Sequence, residues 1–132
     1  MTTWKRVKKL FKIILRKTSN PDIKLVTPKK WNKLFPDFKL DCYGRCSIRH
    51  HIITCRYKNV HSKFQINDTL AHEVMHILFP SKPHWWIECA ALKFMGYYTR
   101  GYHTRHAGRA MSDMPDIRKL KRLIKLAAKR NS

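Results

Sequence analysis

TLAHEVMHILFPSKPHWWIECAA, residues Thr69 to Ala91, carries three of the chain's eight histidines and both of its glutamates. Within it, His72-Glu73-Val74-Met75-His76 has the form HExxH. Histidines four apart on a helix project from the same face about one turn apart, so their imidazoles can converge on a single zinc ion. Glu73 is offset by about 100°, where its carboxylate can reach a water on such an ion without binding the ion itself. Asn67 or Asp68 is placed to cap the helix and Pro80 to stop it. Leu70, Ala71, Val74, Met75, Ile77, Leu78 and Phe79 cover the remaining arc, and no Lys or Arg falls between Asn67 and Pro80. The competing explanation is an amphipathic helix whose wet side happens to read His, Glu, His.

A catalytic zinc takes three protein ligands and keeps one position for water. The turn FPSKPH is followed by a second helix from about Trp85 to Tyr98, interrupted or ended near Gly96, with His84 and Glu88 four residues apart on one face. In an antiparallel pair the chain leaves His76 by about one turn and returns by about as much, which slightly favours Glu88. His84, at the mouth of the turn, serves if the loop folds back. Spacing alone leaves both open.

Around this stretch, the predicted order is helix, short strands, two central helices, a linker and a last helix, an α+β arrangement. MTTWKRVKKLFKIILRKTSN, residues 1–20, sets Trp4, Val7, Phe11 and Ile14 at helical spacing among seven basic residues and ends before Asn20-Pro21. Residues 112–132 mirror it: with Ser112 or Asp113 as cap and Pro115 near the first turn, Ile117, Leu120, Ile124 and Ala127 form one stripe. The span Trp31 to Phe64 reads as short strands, with CSIRHHIITCR a hairpin turning near His50-His51. At 132 residues one domain is expected, its catalytic core over residues 31–98.

The charge is +21, from 29 Lys and Arg against 8 Asp and Glu, with 43% hydrophobic residues, enough to fold. Such a chain attracts polyanions, DNA or RNA first, through Lys5, Arg6, Lys8, Lys9 and Lys12 at one end and Arg118, Lys119, Lys121, Arg122 and Lys125 at the other. Solvated helix faces are the plain alternative, and an anionic membrane surface is a third, since Trp4 and Phe11 opposite Lys and Arg suit a headgroup boundary. No stretch approaches the ~20 apolar residues that span a bilayer, and Ile13 to Leu15 is too short for a signal peptide. An intracellular, soluble protein is expected, cytoplasmic or at the nucleoid or nucleus. Its four cysteines are then reduced thiols.

YGRCSIRHHIITCR, then HEVMH, then a histidine opening a helix that ends in Met95-Gly96, resembles the SprT-like zinc metallopeptidase domain, the group of Spartan and the YgjP-type enzymes. The likeness covers roughly residues 40 to 97. It implies a small zincin-like fold: a strand carrying Gly44, Cys46 and Ser47, a hairpin, and the HExxH helix. It also implies one zinc per chain on His72, His76 and His84, with Glu73 as general base. Two departures stand out: Trp85 follows the third histidine where glycine is usual, and the paired-cysteine zinc ribbon common after such domains is absent. Minigluzincin-type small peptidases use HExxH with a glutamate from the next helix, which Glu88-Cys89-Ala90-Ala91 echoes. Otherwise Glu88 orients a ligand from behind, or is a buried acid paired with a nearby Arg or Lys.

The function this implies is a zinc-dependent endopeptidase that cuts proteins on or near DNA, a zinc-activated hydroxide attacking the carbonyl as Glu73 takes the proton. Tyr97, Tyr98, Arg100, Tyr102 and His103 are available to stabilise the oxyanion. His103 and His106, in a glycine-containing linker, and His50 and His51, at a hairpin tip, read as polar surface. The rival of a different class is a non-enzymatic basic nucleic-acid-binding protein with a structural or degenerate metal site.

Overall fold

The computed structural model describes residues 3–20, 22–58, 61–96 and 114–130. Among these the chain forms five helices and one three-stranded sheet, an α+β fold. Helix α1 spans Thr3–Thr18, strand β1 Lys24–Leu25, helix α2 Pro28–Leu34, strands β2 and β3 Gly44–Ser47 and Ile52–Cys55, and helices α3, α4 and α5 Lys63–Leu78, His84–Met95 and Ile117–Arg130. The sheet order is β1-β3-β2, with β1 parallel and β2 antiparallel to β3, so β2 lies at an edge.

Helix α3 is the centre of the fold. It packs against α1, α4, α5, β2 and β3, and Leu70, Ala71, Val74, Met75, Ile77 and Leu78 are each 1% exposed or less. The apolar arc predicted for this helix is therefore the middle of the core. Its start differs from the expectation: Asn67 and Asp68 lie inside the helix, and Ser62 is the cap. Gln65 N–H donates to Ser62 Oγ at 3.2 Å, and Ser62 N–H donates to Gln65 Oε1 at 2.7 Å. This reciprocal pair satisfies two otherwise orphaned donors, which adds a turn before Asn67.

The basic helices pack their apolar stripes inward. Val7, Leu10, Phe11 and Ile14 of α1 and Leu120, Ile124 and Ala127 of α5 are buried in the same hydrophobic cluster as α3 and α4. Ile117, expected on the α5 stripe, is 37% exposed because it stands at the first residue of the helix. The α1 stop agrees with the reading. Ser19 takes a left-handed conformation (φ 55°) and Asn20 N–H donates to Leu15 C=O at 3.0 Å, closing the last turn. The core occupies most of the apolar side of α1, while Trp4, Ile13 and Leu15 stay partly exposed. No helix among the described residues is long and apolar enough to cross a membrane.

The span read as strands is partly helical. Thr27 Oγ1 accepts from Lys30 N–H at 3.2 Å and Pro28 fills the first turn, so residues 28–34 form α2, with a 3-10 turn at Pro36–Phe38. Trp31 anchors this unit: it is 2% exposed and its Nε1 donates to Phe38 C=O at 2.9 Å. The hairpin falls where expected, turning between Ser47 and Ile52 with His51 at φ 54°. Ser112 and Asp113, proposed to cap the last helix, lie outside the described residues.

Candidate metal centre

Helix α4 begins one residue sooner than its sequence reading, at His84, and ends at Met95 with Gly96 left-handed behind it (φ 73°), as the glycine signalled. Its start is what brings the histidines together. Phe79 N–H donates to Met75 C=O at 2.9 Å and Lys82 N–H to Phe79 C=O at 3.1 Å, so the turn is tight and Pro83 opens α4 at once. His84 therefore returns beside the last turns of α3 instead of one turn beyond it. Its ring centroid lies 4.7 Å from that of His72 and 5.5 Å from that of His76.

One ligand atom from each of His72, His76 and His84 lies within 4.8 Å of the other two. The Nε2 atoms of His72 and His76 are 3.0 Å apart. A tetrahedral zinc with Zn–N near 2.0–2.1 Å sets its nitrogens about 3.3 Å apart, close to the His72–His76 separation, while the His84 atom, within 4.8 Å of both, would draw in around the ion. Electrostatics fits as well. Burial, with the neighbouring His76 and His84, pushes His72 down to about 3, and burial with His84 also lowers His76. Neutral imidazoles are what a metal cation requires, and a low proton affinity at His72 and His76 favours them. Glu88, the alternative third ligand, is not in this group. It acts on Asp68, one turn before His72, whose carboxyl is raised to about 6 by burial and then by Glu88.

Glu73 lies on the polar stripe of the sequence reading, and it is buried there, 6% exposed; a wet side reading His, Glu, His does not describe it. Its Oε2 has no hydrogen-bond partner, one of two such buried side-chain atoms among the described residues, the other being Thr54 Oγ1. Burial pushes its carboxyl up to about 7 against the opposing pull of Arg45. The strands bring Arg45 there, and it is also paired with Asp41 at 3.0 Å. Nothing in the sequence marked Arg45, whereas Asp68 could have been found as the residue four before His72. Cys46 and Cys55 lie near the same carboxylate, and burial followed by Glu73 pushes each thiol up to about 12. They are protonated, and all four cysteines are free.

Gly44, at the start of β2, lets the sheet reach this carboxylate. A Cβ there would stand 2.7 Å from Thr69 Cγ2 and 3.3 Å from Glu73 Cγ. Thr69 is β-branched and cannot swing away freely on a helix. Gly44→Ala is therefore expected to destabilise the fold by about 1–3 kcal/mol. Adding Thr69→Ser, which removes the obstructing methyl, is expected to recover most of that loss in urea denaturation. A single and a double variant of equal stability would refute the contact.

The predicted polyanion-binding residues occupy two exposed faces. Arg118, Lys121, Arg122 and Lys125 line one shallow concavity along α5, and Lys12 and Arg16 line another on α1. Lys5, Lys8, Lys9 and Lys119 are exposed and Arg6 is half-buried. The helices touch each other and α3. Tyr97, Tyr98, Arg100, Tyr102, His103 and His106 lie outside the described residues. No family model, curated protein or solved structure matches this chain.

Proposed function

We propose that this protein is a zinc-dependent endopeptidase of the SprT-like, zincin type that works on protein beside nucleic acid. The observation that carries the reading is the convergence of His72, His76 and His84 around one point next to a buried Glu73 carboxylate whose Oε2 has no hydrogen-bond partner. A buried carboxylate oxygen left without a hydrogen bond is costly, and such groups gather where proton transfer is needed. His72, His76 and His84 would hold the ion. A zinc bound there supplies Lewis acidity toward a carbonyl and an attacking water.

The rest is the work of the chain's own side chains. Glu73 accepts a proton at Oε2 and returns it to the leaving amine, and a carboxyl raised to about 7 is matched to that exchange near neutral pH. Arg45 restrains the shift, keeping the carboxylate available as a base. Strand β2 is an edge of the sheet and its Gly44 abuts Glu73, so a peptide added along that edge in extended form passes the site. The basic faces of α1 and α5 supply affinity for phosphates without choosing the protein to be cut.

The test is cleavage of an unfolded protein such as casein by zinc-loaded chain, its abolition by a chelator and its return with added zinc. Alongside it, DNA binding is expected to weaken steeply as salt rises, with a slope reduced by about 1 for each α5 basic residue removed. A chain that binds no zinc yet holds DNA would move the reading to a non-enzymatic binding protein.

A further inference from the structure

We infer that a cavity beside the N-terminal half of α3 is a subsite for a lysine or arginine side chain of the bound peptide, an inference that rests on the peptidase reading. The cavity, of about 210 Å³, lies between the strand ends and α3. Its apolar part is made by Cys55, Phe64 and Ile66, and Asp68 and Thr69 enter from α3. Tyr43 and His61 also line it, their rings meeting edge to face at 5.8 Å.

Its place along α3 ties it to the metal centre. Thr69 lines the cavity and is also the side chain beside Gly44, next to Glu73. Asp68 precedes His72 by four residues, about 6 Å along the helix axis. Alternate side chains of an extended peptide are about 6.7 Å apart. A peptide whose scissile bond lies over His72 and Glu73 therefore drops a side chain close to that bond into the cavity.

The choice of a basic side chain follows from Asp68. It is the cavity's single acidic group, and among the described residues no basic side chain acts on it. Burial and the repulsion of Glu88 are the influences on it, which leaves a carboxylate without a counter-charge. Arg56, also in the wall, turns its guanidinium to Leu40 C=O at 3.1 Å. Lysine and arginine offer an apolar stem for Phe64 and Cys55, a cation for Asp68, and a charge that an aromatic face such as Tyr43 favours. At about 30 Å³ per water, the space takes one long side chain. An acidic side chain would meet Asp68 with like charge, and an apolar one would leave it buried and unpaired.

The experiment uses zinc-loaded Glu73→Gln protein at pH 8 and fluorescent peptides in which lysine or its uncharged analogue norleucine is scanned through each position. Binding is expected to favour lysine about tenfold at one position, a preference lost in the Glu73→Gln, Asp68→Asn double variant. Asp68→Asn removes a charge that burial and Glu88 both oppose, so the fold is expected to hold, as circular dichroism would verify. No peptide binding, no preference, or a preference that survives Asp68→Asn overturns the subsite. The binding comparison needs no turnover. Wild-type protein that cuts nothing when zinc-loaded would sink the peptidase reading, and the lysine-to-norleucine ratio would still decide the subsite.

Discussion

Glu73→Gln is expected to abolish proteolysis to within measurement, a fall of about 10²–10⁴-fold, while zinc content stays at that of the wild type. Glutamine keeps the shape and one acceptor oxygen of the carboxylate, so the packing against Gly44 is retained. It cannot take a proton at neutral pH. The three imidazoles that would hold the ion are untouched, since Glu73 is not one of the converging ligands. Stability is expected to stay level or rise, because a 6% exposed group with an unpartnered oxygen becomes permanently neutral. Elemental analysis, a casein assay and a thermal melt on the same preparation check all three parts. Loss of cleavage together with loss of zinc would assign Glu73 to metal binding instead, and undiminished cleavage would remove it from the reaction.

The parts of this site that could be read in the sequence are those fixed by helical period within one element. His72 and His76 share a face because four residues make about one turn, and the apolar arc from Leu70 to Phe79 told which side of α3 would be core. The depth of Glu73 was not legible, because it depends on β2 approaching α3 closely at Gly44, a contact between segments nearly thirty residues apart. Helix α2 was legible in principle, since Thr27-Pro28 is a start signal and Ser62 with Gln65 is another. Both were outweighed by stronger patterns beside them: the β-branched run Ile52-Ile53-Thr54 drew the whole preceding span toward strands, and Asn67-Asp68 stood closer to HExxH than Ser62 did. The inward packing of the basic helices was legible only as one of several uses for an apolar stripe, because periodicity marks a face without saying what covers it.

The third ligand turns on a short piece of backbone, and it gives the other large effect. His84→Ala is expected to lower zinc affinity by more than about 100-fold, beyond what loss of an outer-shell partner costs, whereas Glu88→Ala keeps its zinc. Counting residues treated the chain between the helices as a symmetric excursion, and on that count Glu88 comes level with His76. The chain does not make that excursion. The hydrogen bonds from Phe79 to Met75 and from Lys82 to Phe79 fold residues 79–82 back on the end of α3, and Pro83 starts α4 immediately. The first residue of α4, not the fifth, then faces His72. Glu88 falls one turn further on, level with Asp68, whose carboxyl it raises. Two carboxylates there and three imidazoles here are separate sets on the same helix pair. His84 is exposed while His72 and His76 are half-buried, so truncating it leaves no core cavity and the loss of zinc can be read without a loss of fold. Zinc titration of the two variants decides the matter: retention in His84→Ala with loss in Glu88→Ala would make this a two-histidine, one-glutamate site, and α4 would have to shift by a full turn along α3 to build it.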